Sequence, residues 1–202
     1  MKYKHIAIMA ANAIVCAGIG YAVYESQKRT NESAEAVELR AAALAEEFNE
    51  KEAIRLEEHA EKVKQLTCLS TNIYYETMAV SLVDAMSVTD VVLNRVNHAK
   101  YPDTPCDVVH QSYLNDKGEP LLNKCQFSWY CDGKADEPQN AEAWEKSVRY
   151  ADIIYNQGTW RGISEGSTHY HATYVSPSWA KAFTKIAQIG AHIFYRMEDG
   201  QS

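Results

Sequence analysis

Apolar and polar positions divide this chain into three stretches. From Ile6 to Val23 nearly every residue is apolar, with Lys2 and Lys4 before the run and Lys28 and Arg29 after it. As a helix the run is roughly 27 Å long, about enough to cross a bilayer core. No small-residue cleavage site stands out, so residues 1–29 are expected to form an uncleaved signal anchor, a single transmembrane helix. The flanking basic residues lean slightly towards a cytoplasmic N-terminus.

Residues 30–66 are built from Ala, Glu, Lys and Arg and lack Gly and Pro. These are strong helix formers. Val37, Ala41, Leu44 and Phe48 keep a 4-3-4 spacing that draws one stripe down a helix. The stripe loses phase at Ile54 and Leu56. A charged helical stalk is expected, with self-association through its stripe as one use.

Residues 67–202 carry a mixed pattern. Leu66, Leu69, Ile73 and Val80 fall on one helical face, and Val88 to Val96 forms a second amphipathic run that ends before Tyr101-Pro102. Residues 103–135 read as loop, punctuated by Pro105, Asn115, Gly118, Pro120 and Gly133. Trp144, Val148, Ala151 and Tyr155 mark a third helix, and Thr168 to Val175 and Ile189 to Met197 read as extended segments. Pro177-Ser178-Trp179 opens a short helix between them. The expected class is α+β with helices dominant.

The net charge of −7 argues against a nucleic-acid partner, which needs a basic field to meet phosphates. No P-loop or zinc-finger spacing appears, and no cofactor is expected. Beyond Cys16 the cysteines are Cys68, Cys106, Cys125 and Cys131. In an exported domain an even count suggests two disulfides, and three pairings are open. A Cys125–Cys131 bond would stiffen the loop between them, leaving Cys68 with Cys106.

Glu76 is the strongest candidate for chemistry. It follows Leu69 by seven residues and Ile73 by three, and precedes Val80 by four. On a helix these offsets put its carboxyl at the edge of the apolar stripe. A carboxyl facing apolar surroundings is harder to ionise. One kept protonated near neutral pH can give its proton to a glycosidic oxygen.

Cys68-Leu69-Ser70-Thr71-Asn72-Ile73-Tyr74-Tyr75-Glu76 resembles the opening motif of the SleB-type cell-wall hydrolases, the spore cortex-lytic enzyme family. Val91-Val92-Leu93-Asn94-Arg95-Val96, Tyr101-Pro102 and Cys106-Asp107-Val108-Val109 resemble its next blocks. Cys125-Gln126-Phe127-Ser128-Trp129 resembles its central loop. His169-Tyr170-His171-Ala172, Pro177-Ser178-Trp179 and Gly190-Ala191-His192-Ile193-Phe194-Tyr195 resemble its C-terminal end. The resemblance implies a lysozyme-like fold and cleavage between N-acetylmuramic acid and N-acetylglucosamine, leaving a 1,6-anhydro sugar. It puts Glu76 at the position of the catalytic acid.

The expected partner is then the glycan strand of peptidoglycan. Gln126 and Ser128 are candidates to bind N-acetyl groups, Trp129 and Tyr170 to stack on sugars, His171 to contact substrate, and Asn94 to contact substrate or orient Glu76. The expected location is the cytoplasmic membrane, with the catalytic domain on its outer side. The weak anchor is similar to the signal anchors of certain phage lysis enzymes, so a phage-encoded endolysin and a bacterial wall-remodelling enzyme are the two origins considered. Two other readings compete. His169 and His171, two apart on a strand, with His192 on the next, could form a zinc-dependent muralytic peptidase or amidase, although H-E-x-x-H is missing. A non-catalytic stalked wall-binding module is the other.

Overall fold

A computed structural model describes the backbone of residues 2–198 and the side chains of residues 18–198. The chain forms two compact units, Met1–Glu58 and His59–Ser202. Helix α1 runs Lys2–Thr77 and contributes to both. In the first unit the described side chains are almost all exposed, among them Val37, Leu44 and Phe48. Exposed Glu-Lys pairs such as Glu47–Lys51 line this helix. The expected apolar span Ile6–Val23 falls mostly on residues 1–17, whose side chains lie outside the described ones. Among the described residues no helix is long and apolar enough to cross a membrane.

The second unit is mainly helical α+β. The end of α1 buries Leu69 and Ile73 completely. The helix stops at Thr77 because Met78 and Ala79 turn to positive φ (50° and 49°), which a right-handed helix cannot continue. Val80, expected on the same helical face, is therefore off the helix and 87% exposed. Ser81 caps α2 (Leu82–Val96) by accepting from the Asp84 N–H, and Asp84 and Arg95 suit its two ends. Eleven of its fifteen residues are buried, so α2 is the central rod. Thr104 caps the short α3 (Pro105–Val109), with proline in its first turn. Asn140 caps α4 (Ala141–Tyr155). Leu69, Ile73, Met86, Val92, Val108, Val109 and Ile154 form one core between these helices.

The stretch expected to be loop holds more structure than its breakers suggested. Besides α3 it contains an antiparallel hairpin, β1 (Ser112–Leu114) and β2 (Pro120–Cys125). A 3-10 turn follows at Ser128–Cys131. The C-terminal half makes a three-stranded antiparallel sheet in the order β3-β5-β4, from β3 (His169–Ala172), β4 (Thr184–Ile189) and β5 (His192–Arg196). Strand β4 was not expected. The sheet lays Phe194 against Val88 and Val91 of α2. Two disulfides, Cys68–Cys106 and Cys125–Cys131, join α1 to α3 and close the central loop, as the pairing argument expected.

Candidate active site

The last turn of α1 delivers Glu76 into a cleft of about 370 Å³. The central loop supplies Gln126, Phe127 and Ser128, strand β3 supplies Tyr170 and His171, and β5 supplies His192. Tyr75, Arg95 and Tyr174 complete the surroundings that matter for chemistry.

Glu76 is half-buried, and the Tyr170 hydroxyl donates to its Oε2 at 3.1 Å. Burial pushes its carboxyl above the ordinary range, and only part of this is offset by the Tyr170 hydrogen bond and the neighbouring His192 and Arg95. The physical reason is desolvation of the charged form. Tyr170 is in turn held well above the usual phenol range by burial and by the Glu76 charge, so it stays a donor.

Arg95 is 5% exposed, and its Nε donates to the Thr168 carbonyl at 2.7 Å. Its guanidinium lies 5.3 Å from the centres of both the Tyr101 and Phe127 rings. Burial lowers its pKa. It lends positive potential to the cleft from inside the fold.

The residues named from sequence do not all arrive together. Glu76, Gln126, Ser128, Tyr170 and His171 line one cleft. Trp129 stands behind it, 6% exposed, stacked on Tyr75 at 5.2 Å and donating from Nε1 to Asn72 Oδ1 at 3.1 Å. Asn94 turns elsewhere: its amide donates to Ser164 Oγ and the Ser167 carbonyl, and its carbonyl accepts from Arg161. That cluster centres on Asp90, fully buried, which accepts from the Gly162 and Ser164 backbone, the Ser164 hydroxyl and Arg161. Sequence reasoning missed Arg95, Tyr75 and Tyr174. An arginine inside the apolar run of α2 was a usable signal for the first.

The three histidines do not converge. Pairing of His171 with Ile193 and Ala172 with His192 sets the alternation of side chains. His169 and His171 pack against Phe183, Trp179 and Tyr195, whereas His192 packs against Tyr170 and Phe194. These are opposite faces of the sheet. Among the described residues no group of three His, Cys, Asp or Glu is placed to hold a metal ion.

A family model described as Cell Wall Hydrolase matches residues 81–195. No curated protein matches the chain. Two solved structures are similar. One is the catalytic domain of the germination-specific lytic transglycosylase SleB from Bacillus anthracis, with 21% identity and TM-score 0.46 over 65% of this chain and 93% of that one. The other is the catalytic domain of the Bacillus cereus SleB protein, with 20% identity and TM-score 0.45 over 65% of this chain and 89% of that one.

Proposed function

This chain belongs to the cell wall hydrolase family, and we propose that it cuts the glycan strands of peptidoglycan with Glu76 as the acid. The observation that carries the reading is a half-buried carboxyl, raised by its surroundings and gripped by Tyr170, in a cleft of about 370 Å³. A carboxyl that holds its proton more tightly than an exposed one can give it to the bridging oxygen as the glycosidic bond breaks.

Glu76 is the one carboxylate lining the cleft among the described residues. A two-carboxylate hydrolase needs a second one about 5–9.5 Å away. Asp84 and Asp90, the nearest in sequence, are bonded to His192 and to the Asp90 cluster described above. This favours a lytic transglycosylase outcome, in which the muramyl C6 hydroxyl attacks the anomeric carbon and an anhydro sugar results. Gln126 and Ser128, exposed on the rim, suit the N-acetyl groups, and Tyr75 and the 88% exposed Tyr174 offer rings to sugar faces. His171, bonded to the Tyr195 hydroxyl at 3.0 Å, also lines the cleft.

The proposal extends to location. Two disulfides suit an oxidising compartment. With the apolar run Ile6–Val23 as anchor and the charged helix behind it as stalk, the catalytic unit would work on the outer side of the cytoplasmic membrane. The exposed stripe of Val37, Leu44 and Phe48 is the surface by which stalks would pair.

The test is digestion of purified sacculi by the full chain, with mass spectrometry of the products. Anhydro-muropeptides from the wild type and none from Glu76→Gln are expected. Free stem peptides with intact glycan would overturn the reading.

A further inference from the structure

We propose that Asp84 and His192 form a second proton-transfer site of the same cleft, with His192 as the base that receives the proton of the attacking hydroxyl and Asp84 as the residue that positions it. The inference rests on glycan cleavage with Glu76 as acid, and adds a partner to it.

The pair is built, not incidental. Asp84 stands in the first turn of α2 and His192 at the start of β5, 108 residues apart, yet His192 Nδ1 lies 2.9 Å from Asp84 Oδ1. Both residues are 7% exposed. The carboxylate sits where residue 190 has no side chain. A Cβ on Gly190 would come 2.7 Å from Asp84 Oδ1, and Gly190 also takes φ +53° in the β4–β5 turn. Only glycine satisfies both demands.

The hydrogen bond at Nδ1 decides what the rest of the ring can do. With Nδ1–H donating to a carboxylate, neutral histidine presents the lone pair of Nε2. His192 Nε2 has no hydrogen-bond partner among the described residues, and His192 lines the cleft. Its ring meets Tyr170 edge-on at 5.1 Å, and Tyr170 is the residue that grips Glu76. One acceptor nitrogen therefore shares the cleft with one raised acid. A staple between α2 and the sheet would need the bond to Asp84 but not a place on the cleft wall.

The step balances. Glu76 gives its proton to the bridging oxygen as the C1–O bond breaks, and the leaving sugar departs with a hydroxyl. The attacking hydroxyl oxygen bonds to C1, and its proton passes to His192 Nε2. The imidazolium so formed is stabilised by the Asp84 carboxylate. It then releases its proton to solvent, and Glu76 takes one up. The alternative route, in which the Glu76 carboxylate retrieves the proton itself, leaves His192 idle.

The groups around His192 that carry or change charge are Asp84 and Arg95 from α2, Glu76 from α1, Tyr170 and His171 from β3, and Tyr174 from the loop after it. The two routes differ in the acid limb of the rate profile. A general base works only while unprotonated, so a base distinct from Glu76 gives the profile an acid limb of its own.

The experiment is the pH profile of muropeptide release by the full chain, for wild type, Glu76→Gln, His192→Gln and Asp84→Asn. A wild type that releases no muropeptides sinks the glycan-cleavage reading itself. With an active wild type, His192→Gln is expected to lose about 10²–10⁴-fold in kcat with little change in KM, and its residual activity to lack the acid limb. Asp84→Asn is expected to lower kcat at the optimum, because the ring loses the carboxylate that orients it. A His192→Gln enzyme within threefold of wild type, or one keeping the wild-type acid limb, overturns the proposal. Should the variants unfold, NMR titration of the His192 ring in the wild-type chain decides. A ring pKa matching the acid limb supports the assignment, and a mismatch rejects it.

Discussion

The Tyr170 hydroxyl donates to Glu76 Oε2 at 3.1 Å across a sequence separation of 94 residues. It thereby orients that carboxyl and partly stabilises its ionised form. Tyr170→Phe removes both effects. Glu76 then holds its proton to higher pH, so the basic limb of kcat should move to the alkaline side. The carboxyl also loses its fixed orientation, and kcat at the optimum should fall about tenfold or more. Steady-state turnover of both proteins across pH checks this. A fall in kcat with an unmoved basic limb would leave Tyr170 a packing residue only.

Glu76 should be a burden on the fold. Its folded pKa lies above the ordinary value of 4.5. The native state therefore keeps a proton that the unfolded chain gives up, so stability from this group is present at low pH and is lost as pH rises through the raised value. Glu76→Gln should melt at a higher temperature than wild type at pH 7, with the gap closing towards pH 4. Calorimetry at the two pH values tests the sign, and equal melting at pH 7 would show that the site does not strain the carboxylate.

The two disulfides should matter differently. Cys68–Cys106 spans 38 residues and Cys125–Cys131 spans 6. In the chain-entropy model these loops are worth about 4 and about 2 kcal/mol. Replacing Cys68 and Cys106 with serine should produce the larger fall in urea midpoint. Replacing Cys125 and Cys131 should cost less stability but raise KM, because the bond closes the loop that carries Gln126 and Ser128.

Asp90 should be the costliest single loss outside the core. Its carboxylate is fully buried and is met by the Gly162 N–H at 3.0 Å, the Ser164 N–H at 3.0 Å, the Ser164 hydroxyl at 2.6 Å and Arg161. Asp90→Ala strands the Gly162 N–H, the Ser164 N–H and the Ser164 hydroxyl, and Arg161 loses its ion-pair partner while keeping the Asn94 and Asp90 carbonyls. Each buried donor left without an acceptor costs about 1–3 kcal/mol. The segment it pins leads straight into β3, so activity should fall with stability. Equilibrium urea unfolding measures the first and sacculus digestion the second.

Apolar spacing marked the second half of α2 and the body of α4, whereas the first turns of α2 behind its Ser81 cap and the short α3, inside a stretch read as loop, were not marked. It marked Glu76 as a candidate at the edge of an apolar stripe and left three cysteine pairings open, among which packing of α1 against α3 selects Cys68–Cys106 across 38 residues. It failed at Val80, where two residues of positive φ end a helix that apolar periodicity would have continued. It missed β4, whose identity comes from pairing with β5 rather than from its own composition. Asn94 and Trp129 were sensible candidates by type, but their partners, Ser164, Ser167 and Asn72, come from distant segments. The Tyr170 grip on Glu76 and the meeting of Asp84 with His192 belong to the same class. Spacing along a chain settles which face of an element a residue occupies. Which other faces it meets is settled only when the elements pack, and hydrogen bonds and pKa shifts are properties of that meeting.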